Sequence, residues 1–365
     1  MSEFDIVIVG GGIAGASLGA EIAAGRRTLI IEAEDQCGFH ATGRSAAFYL
    51  ESYGGAEVAR LTTASGPFLE NPPAVFSERS FLCRRGALDI SDADWPRVPT
   101  GVAARRIERG ELEKLIPGLR SRWLRALFEP SCADIDVAAL HAAYLRQFQQ
   151  AGGKVVTNAK LERAKRIDGA WIVSLADGSS VRAALIVNAA GAWADEVAER
   201  CAVGRIGFEP KRRTMVQLRV GRSGLKSLHL VNDAGGRFYF KGESDSTIWL
   251  SPHDEIDTAP CDAAPEEIDV AIAIERFRDV VDWPIERVER RWAGLRTFAP
   301  DRLPVYGFDP GEPCFFWCAG QGGFGIQTSP AAAKLAASLL VGEPCDAMVA
   351  QIDPATYSPA RFKGD

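Results

Sequence analysis

The residues with the clearest chemical use stand near the start of the chain, where Gly10, Gly12 and Gly15 follow a short apolar run in the spacing GxGxxG. In this arrangement the first glycine makes a tight turn and the second lets the backbone approach a pyrophosphate. The third lets a helix pack closely on a strand. Glu32 ends the next apolar run, where a carboxylate accepts hydrogen bonds from a ribose diol. The motif predicts a bound dinucleotide, and the acid argues against the 2′-phosphate of NADP.

Three further glycine-containing segments stand beside predicted strand ends. They are HATGRSAA (40–47), AAGAWADEVA (189–198) and GQGGFGIQ (320–327). Several separated glycine loops suit a long cofactor that lies across a sheet. The last segment precedes a predicted helix, and amide groups at a helix N-terminus suit the pyrimidine end of an isoalloxazine, where negative charge develops on reduction. The GxGxxG motif does not separate FAD from NAD, but the whole set favours FAD.

The elements that must position these motifs follow from hydrophobic patterning. Residues 4–9 form an unbroken apolar run typical of a strand buried on both faces, and 14–24 and TLIIE complete a βαβ unit. Later strands are predicted at KVVTN, WIVSLAD, ALIVNAAG, FYFKG, TIWLSP and CFFWCAG. A polar helix and connector are predicted over 105–128, helices over 136–150, 265–281 and 329–341 (the last with an alternative start near Gly325), and loops with short strands over 66–100.

Composition excludes several classes of function. The 365 residues carry a formal charge of −6 without a Lys/Arg cluster, which argues against a nucleic-acid or membrane-surface partner. Eight cysteines form no CxxC pair and four histidines show no metal-binding spacing, so we expect free thiols and no metal. No apolar run reaches the roughly 20 residues of a membrane span. Because the first predicted strand leaves no room for a signal peptide, we expect a cytoplasmic protein.

The segments GGGIAGAS, TGRSAA, NAAGAW, PKRR, WAGLR and QGGFGIQTS, in this order, resemble the D-amino-acid oxidase/dehydrogenase (DAO) family of flavoproteins, nearest its D-arginine dehydrogenase branch. The resemblance covers nearly the whole chain. It implies noncovalently bound FAD and an α/β fold, in which a Rossmann-like FAD-binding domain is interleaved with a smaller α+β substrate domain on a mixed antiparallel sheet. We expect the FAD-binding domain over 1–50, 135–203 and 297–365, and the substrate domain over 51–134 and 204–296.

The resemblance also implies which residues hold the cofactor. The ADP half would be held by Gly10, Gly12, Ala14, Gly15, Glu32 and Ala33, with Leu161 on the adenine. The pyrophosphate and flavin would be lined by Thr42, Gly43, Arg44, Ser45, Ala46, Ala47 and Gly191. The flavin pyrimidine would be capped by Gly320, Gly322, Gly323, Phe324, Gly325, Ile326 and Gln327.

For the substrate, the resemblance implies a carboxylate bound by arginine. The matching positions are Arg213 and Arg296, with the hydroxyls of Tyr53 and Tyr239, the carbonyl of Gly294, and Gln327 at the junction with the flavin. Guanidinium suits this task because it stays charged and binds a carboxylate through two parallel hydrogen bonds. Arg212 stands beside Arg213, so the choice between them stays open.

The side-chain pocket departs from the D-arginine dehydrogenase branch. Where that branch has a glutamate this sequence has Ala87, and apolar Phe48 and Leu50 replace polar residues. Leu230 and Asn232 stand on the same predicted pocket wall. A buried guanidinium without a counter-charge is unfavourable. We therefore expect a pocket without an acid and neutral, apolar substrates, unless Glu51 or Asp233 supplies a carboxylate.

The resemblance implies FAD-dependent oxidative deamination of D-amino acids, in which a hydride passes from Cα to flavin N5. The imino acid then hydrolyses to a 2-oxo acid and ammonia, and electrons leave to a quinone, a dye-like acceptor or oxygen. No strong general base is expected. Two alternatives stay open: oxidation of glycine, sarcosine, D-proline or an opine-like secondary amine, and a flavoprotein subunit with little activity alone. The sequence does not distinguish oxidase from dehydrogenase, and it does not give the oligomeric state.

Overall fold

The computed structural model describes residues 2–96 and 101–362, and one of its sheets carries the glycine motif. The strands of this sheet are β1 (Ser2–Val9), β2 (Thr28–Ile31), β9 (Lys154–Val156), β10 (Leu161–Ile167), β11 (Ala170–Leu175), β12 (Ser180–Asn188), β19 (Val305–Phe308) and β20 (Phe315–Ala319). Their order is β10-β11-β12-β1-β2-β9, with β20 also on β12 and β19 on β20. The pairs among β9, β2, β1, β12 and β20 are parallel.

Helices cover both faces of this sheet. On one face α1 (Ile13–Ile22) packs against α4 (Val137–Gln150) and α7 (Gly325–Val341), and α2 (Gly55–Glu70) packs on α7. The other face holds α5 (Ala194–Arg200). Alternate residues of β1 enter two separate apolar clusters, Ile6 and Ile8 on the α1 side and Val7 and Val9 on the other. The unbroken apolar run of β1 follows from this burial on both faces.

A second, mixed sheet stands beside the first. Its strands are β5 (Ala87–Ser91), β6 (Arg105–Glu108), β7 (Arg125–Glu129), β13 (Glu209–Val220), β14 (Leu230–Asp233), β15 (Tyr239–Gly242), β16 (Thr247–Ser251), β17 (Ile256–Asp257), β18 (Ile285–Phe298) and β21 (Gln321–Gly322). The order is β21-β18-β13-β16-β15-β14-β5-β7-β6, with β17 on β13. Only the β5–β14 pair is parallel among the described strands of this sheet. Because β21 belongs to the glycine segment before α7, this sheet is joined to the cofactor motif.

The remaining elements are short. A three-stranded antiparallel sheet contains β3 (Phe48–Tyr49), β8 (Ala133–Ile135) and β4 (Leu82–Arg84). The helices α3 (Arg109–Leu115) and α6 (Glu267–Arg278) contribute Leu112 and Phe277 to the apolar cluster on one face of the second sheet. Single 3-10 turns lie at Gly191–Trp193, Leu225–Ser227, Ala347–Val349, Pro354–Tyr357 and Pro359–Phe362. Within the described ranges, no helix is both long and apolar enough to cross a bilayer.

Most predicted elements are present, and two predictions need correction. Over 105–128, predicted as a polar helix and connector, the helix is present as α3, but the residues at the two ends form the unpredicted strands β6 and β7, which pair with each other (Arg105 opposite Phe128). The segment 66–100 begins inside α2, which was not predicted. The last helix starts at Gly325, the earlier of the two predicted starts. The division into two interleaved domains stays a prediction.

Candidate active site

A cleft of about 400 Å³ lies at the carboxyl ends of β1, β2 and β12, where open α/β sheets bind ligands. Most of the predicted cofactor residues line it. They are Gly10, Gly12, Ala14, Glu32, Ala33, Thr42, Arg44, Ser45, Ala46, Leu161, Gly191, Gly322, Gly323, Gly325 and Ile326. The predicted set also misses some of the lining, including Glu34, Phe39, His40, Ala159 and Trp193. The cleft is continuous from the Glu32 end to the second sheet, as an elongated cofactor requires.

The glycine motif is shaped by close backbone contacts. Gly10 has φ +107°, and a Cβ there would lie 2.4 Å from the carbonyl oxygen of Ala189. A Cβ on Gly15 would lie 2.0 Å from the carbonyl oxygen of Gly10. Only glycine at these two positions lets α1 and β12 approach the turn this closely. The turn therefore presents bare backbone to the cleft.

Glu32 is fixed by the backbone on both sides of it. One carboxylate oxygen accepts a hydrogen bond from the Gly11 amide at 2.8 Å and the other from the Glu34 amide at 3.0 Å. A carboxylate has about four lone-pair sites, so each oxygen keeps capacity for a diol. With the bare glycine turn beside it, this donor-and-acceptor set fits the ADP half of FAD.

Several predicted cofactor residues do not line the cleft, and their prediction as direct ligands is corrected on that point. They are Gly15, Gly43, Ala47, Gly320, Phe324 and Gln327. The Gln327 side chain is buried, accepts a hydrogen bond from the Leu50 amide at 3.1 Å and donates one to the Thr62 hydroxyl at 2.9 Å. The Phe324 ring packs edge-on against Tyr53 with centroids 4.9 Å apart. Gln327 and Phe324 therefore position the segment that carries Leu50 and Tyr53.

The guanidinium of Arg44 forms hydrogen bonds with other parts of the protein, although the residue lines the cleft. It donates to the carbonyl oxygens of Ala263 at 2.9 Å and Ala293 at 3.1 Å, and it pairs with Asp262. The indole of Trp292 donates to the Arg44 carbonyl at 3.0 Å. Arg44 therefore ties the HATGRSAA segment to β18 at the edge of the cleft.

A second cavity of about 340 Å³ opens from the cleft. The two share Ser45, Ala46, Tyr239, Arg296 and Gly323 in their linings. The predicted residues in this cavity are Phe48, Leu50, Tyr53, Leu230, Asn232, Tyr239 and Arg296, while Gly294 and Arg213 line the cleft beside it. Ala87 does not line it: the side chain is 1% exposed and lies in an apolar cluster with Leu50 and Leu230.

Two arginines bring positive charge to the junction of cleft and cavity. Arg296 donates to the Tyr53 hydroxyl oxygen at 2.7 Å, and within the described residues no carboxylate pairs with it. Arg213 is 4% exposed and donates from Nε to the Asp254 carbonyl at 2.6 Å and from Nη2 to the Glu255 carboxylate at 3.4 Å. Its Nη1 has no hydrogen-bond partner among the described residues. Burial lowers the pKa of Arg213, and the positive charge of Arg296 lowers it further. A bound anion would relieve this repulsion.

The neighbouring arginines Arg212 and Arg213 differ in the direction of their side chains, and only Arg213 lines the cleft. Arg212 points to α6, where it pairs with Asp269 at 2.8 Å and with Glu266, and it does not line the cleft. Arg213 does line it. The alternation of side chains along β13 explains the difference, because neighbours in a strand point to opposite faces.

Sequence reasoning missed two titratable residues of the cavity, Asp89 and His253. Asp89 accepts a hydrogen bond from the Asn232 amide at 3.0 Å, and burial raises its pKa to about 6. The prediction of a pocket without an acid is therefore wrong. Asp89 stands two residues after Ala87 on the same strand, so strand alternation places the two side chains on the same face. That alternation was the signal that could have found it.

His253 follows β16 in a loop, with φ +56°. Its Nδ1 lies 2.7 Å from the Gly236 carbonyl oxygen, which makes Nδ1 the protonated nitrogen and leaves Nε2 as an acceptor. Burial and the charges of Arg213 and Arg296 lower the pKa of His253 to about 4. The imidazole is therefore neutral near pH 7, and no feature of the sequence places it beside the arginines.

Glu51 and Asp233, the two acids that could replace the glutamate missing at position 87, have other partners. Glu51 accepts a hydrogen bond from the Tyr49 hydroxyl at 2.7 Å and does not line the cavity. Asp233 does line it, but Arg237 pairs with it at 2.7 Å.

Cys314 and Cys318 do not line the cleft, and burial raises the pKa of Cys318 to about 12. In the described part of the chain no group of metal-binding side chains is assembled.

Similarity to known proteins agrees with this site. Residues 5–339 match the profile of the DAO family, described as FAD dependent oxidoreductase. The chain is 26% identical to glycine oxidase of Pseudomonas aeruginosa over 282 residues, 75% of this chain and 73% of that protein. It is 26% identical to mitochondrial dimethylglycine dehydrogenase of Rattus norvegicus over 273 residues, 69% of this chain but only 31% of that longer protein.

The fold is similar to that of L-proline dehydrogenase from P. horikoshii, with a TM-score of 0.83, 20% identity and coverage of 99% of this chain and 98% of that one. The predicted fold class, family and FAD cofactor are confirmed by these likenesses. They support the family as a whole rather than its D-arginine dehydrogenase branch.

Proposed function

Because the chain belongs to the DAO family of FAD dependent oxidoreductases, we propose that it oxidises a free amino acid at the Cα–N bond, with the D-enantiomer as substrate. The single observation that carries this proposal is the pair Arg296 and Arg213 at the junction of the cleft and the second cavity, where Nη1 of Arg213 has no partner among the described residues. A substrate carboxylate would accept a hydrogen bond from this free Nη1, beside the Glu255 carboxylate that already lies 3.4 Å from Nη2.

Binding and orientation follow from the side chains around the arginines. Arg296 already donates to the Tyr53 oxygen, so the hydroxyl proton of Tyr53 is left for an acceptor. A carboxylate at this point would accept hydrogen bonds from Tyr53 and Arg296 together. Gly294, opposite Arg213 in the β13–β18 pair, lines the cleft on the same side. These groups fix the α-carbon of the substrate relative to the cleft.

FAD supplies a two-electron acceptor for the hydride of the substrate carbon when it is bound in the cleft. The chain's own residues handle the amine. His253 offers a neutral Nε2 as a hydrogen-bond acceptor, but its pKa of about 4 makes it a poor store for a proton. The amine must therefore react in its neutral form after losing its proton to solvent. The imino acid released then hydrolyses to a 2-oxo acid and ammonia.

A second candidate is oxidation of glycine or a secondary amine such as sarcosine, D-proline or an opine-like compound. The names of the relatives support it, since they include a glycine oxidase and a dehydrogenase of the secondary amine L-proline. A further relative is a dehydrogenase of the tertiary amine dimethylglycine. The carboxylate site serves these substrates equally. The cytoplasmic location and the identity of the electron acceptor stay predictions.

The test is anaerobic bleaching of the bound flavin by a panel of amines. The panel contains D- and L-enantiomers of several amino acids, glycine, sarcosine and D-proline. Bleaching by D-amino acids alone supports the first proposal, and bleaching by glycine or secondary amines alone supports the second. A flavin that stays oxidised with every compound contradicts both and favours a subunit without its own turnover.

A further inference from the structure

We propose that Asp89 binds the positively charged end of the substrate's side chain, so that the enzyme selects amino acids with a long cationic side chain. This inference rests on the proposed function, because it takes the second cavity as the substrate site. It reverses the preference for neutral side chains expected from Ala87. Asp89 and Arg296 both line this cavity.

The sheet register places Asp89 away from the carboxylate site on the same face. Asp89 on β5 is opposite Asn232 on β14, and Asn232 is opposite Tyr239 on β15. Residues directly opposite on neighbouring strands point to the same face. Two strand spacings separate Asp89 from Tyr239, about 10 Å along the sheet. From its carboxylate to its side-chain cation, an extended lysine or arginine with a hydrogen bond at each end spans such a distance, whereas alanine does not.

The charges around Asp89 leave a position for a cation. Its one hydrogen bond from a described side chain comes from the neutral amide of Asn232, at 3.0 Å. The neighbouring acids Glu129 and Asp233 add negative charge and, after burial, raise the pKa of Asp89. Asp233 is neutralised by Arg237. Among the described residues no cation pairs with Asp89 itself.

Glu129 strengthens the negative potential at this end of the cavity. It is 2% exposed, accepts from the Glu51 amide and the Ser131 hydroxyl (both at 2.9 Å), and pairs with no cation of the described chain. The ammonium of Lys241, on the same face of β15, pairs with Asp134 at 3.0 Å and lies 5.4 Å from the centre of the Phe48 ring. Lys241 therefore has its own counter-ion outside the cavity.

The cavity is consequently positive at the Arg296 end and negative at the Asp89 end. A zwitterionic amino acid with a cationic side chain matches both ends, and electrostatic matching of this kind gives specificity. A neutral side chain would instead bury a carboxyl that has no cation, which is unfavourable. The apolar wall of Phe48, Leu50 and Leu230 suits the methylene groups between the two charges.

The experiment compares two substrates that differ only in the terminal charge, lysine and norleucine, each as both enantiomers. Anaerobic flavin reduction is followed in the wild-type holoenzyme and in Asp89→Asn. We expect the wild type to prefer lysine by at least about tenfold in rate over dissociation constant, the range of one charge-assisted hydrogen bond. In Asp89→Asn we expect this preference to fall by about tenfold. The rate over dissociation constant for norleucine should change by less than about twofold.

A matched control is Asp168→Asn, which makes the same charge change at an exposed turn. Its φ of +48° suits asparagine. We expect wild-type selectivity from this control. If norleucine reduces the flavin of the wild type as well as lysine does, or better, the proposed role of Asp89 is wrong and the proposed function is unaffected. The preference of the wild type for lysine over norleucine is measured without any variant, so it tests the proposal even if Asp89→Asn does not fold. Asp89→Ser is a second variant for that case. No reduction by any amino acid overturns both.

Discussion

The guanidinium of Arg296 donates a hydrogen bond to the hydroxyl oxygen of Tyr53 across 2.7 Å. This contact joins the long strand β18 to the segment between β3 and α2, two parts of the chain that lie far apart in sequence. It also fixes the direction of the Tyr53 hydroxyl proton, since its oxygen already accepts. The two side chains therefore form one anion-binding unit.

Removal of the Arg296 charge should weaken substrate binding without loss of the cofactor. We expect Arg296→Met to raise the dissociation constant for an amino-acid substrate by about two orders of magnitude, since truncation of a buried charged partner has an effect of that size. Anaerobic flavin reduction at varied substrate concentration measures it, and the flavin absorbance confirms retention of FAD. Near-normal kinetics would remove Arg296 from the site.

Arg212→Met is the control for this prediction. Arg212 is buried like Arg213 but pairs with Asp269 and Glu266 away from the cleft. Since an unpartnered buried charge is destabilising, we expect a lower melting temperature with a substrate dissociation constant close to wild type. Weakened substrate binding in this variant would contradict the assignment of Arg213 to the cleft.

Glu32 should control the affinity for FAD rather than the chemistry. Glu32→Gln keeps the shape but loses an acceptor, because one amide end now donates toward an N–H of Gly11 or Glu34. We expect about a tenfold weaker affinity for FAD, within the range of a hydrogen bond to a charged group. Equilibrium titration of the apoprotein by flavin fluorescence measures it. An unchanged affinity would show that Glu32 does not touch the ribose.

Ala87→Glu tests the correction to the pocket. Ala87 is buried opposite Glu129 on β7, so a second carboxylate there meets a buried one. We expect a loss of stability of several kcal/mol, typical of an unpaired buried charge, with no gain in the preference for lysine over norleucine. Denaturant unfolding and flavin reduction measure the two effects. A stable variant with an increased preference for lysine would show that position 87 does line the substrate site.

His253 should make the protein sensitive to acid. Its folded pKa of about 4 lies below the ordinary value of 6.5, so between these pH values the unfolded chain binds a proton that the folded protein does not. The free energy of unfolding therefore falls as the pH drops from 6.5 towards 4. His253→Asn, which suits the positive φ, should flatten this part of the stability curve. An equally steep curve in the variant would mean that His253 is not the group responsible.

The parts of the site that can be predicted from the sequence are those whose residues lie close together in one short sequence motif. The turn at Gly10, the acid at Glu32 and the segment before α7 each combine a residue type with a local element. Asp89 and Asn232 come together only because β5 pairs with β14, and no local pattern specifies that long-range register. The same applies to His253, whose place beside Arg213 depends on the sheet order. Long-range pairing is therefore what sequence reasoning lacked here.

The most direct test of the central claim compares an amino acid with the amine that lacks its carboxylate. D-Norleucine and pentylamine share the amine and the side chain, and only the former can bind Arg296, Arg213 and Tyr53. We expect anaerobic bleaching of the flavin by the amino acid with a rate over dissociation constant at least about a hundredfold higher than for the amine. Equal bleaching by pentylamine would contradict a carboxylate-binding site at the two arginines.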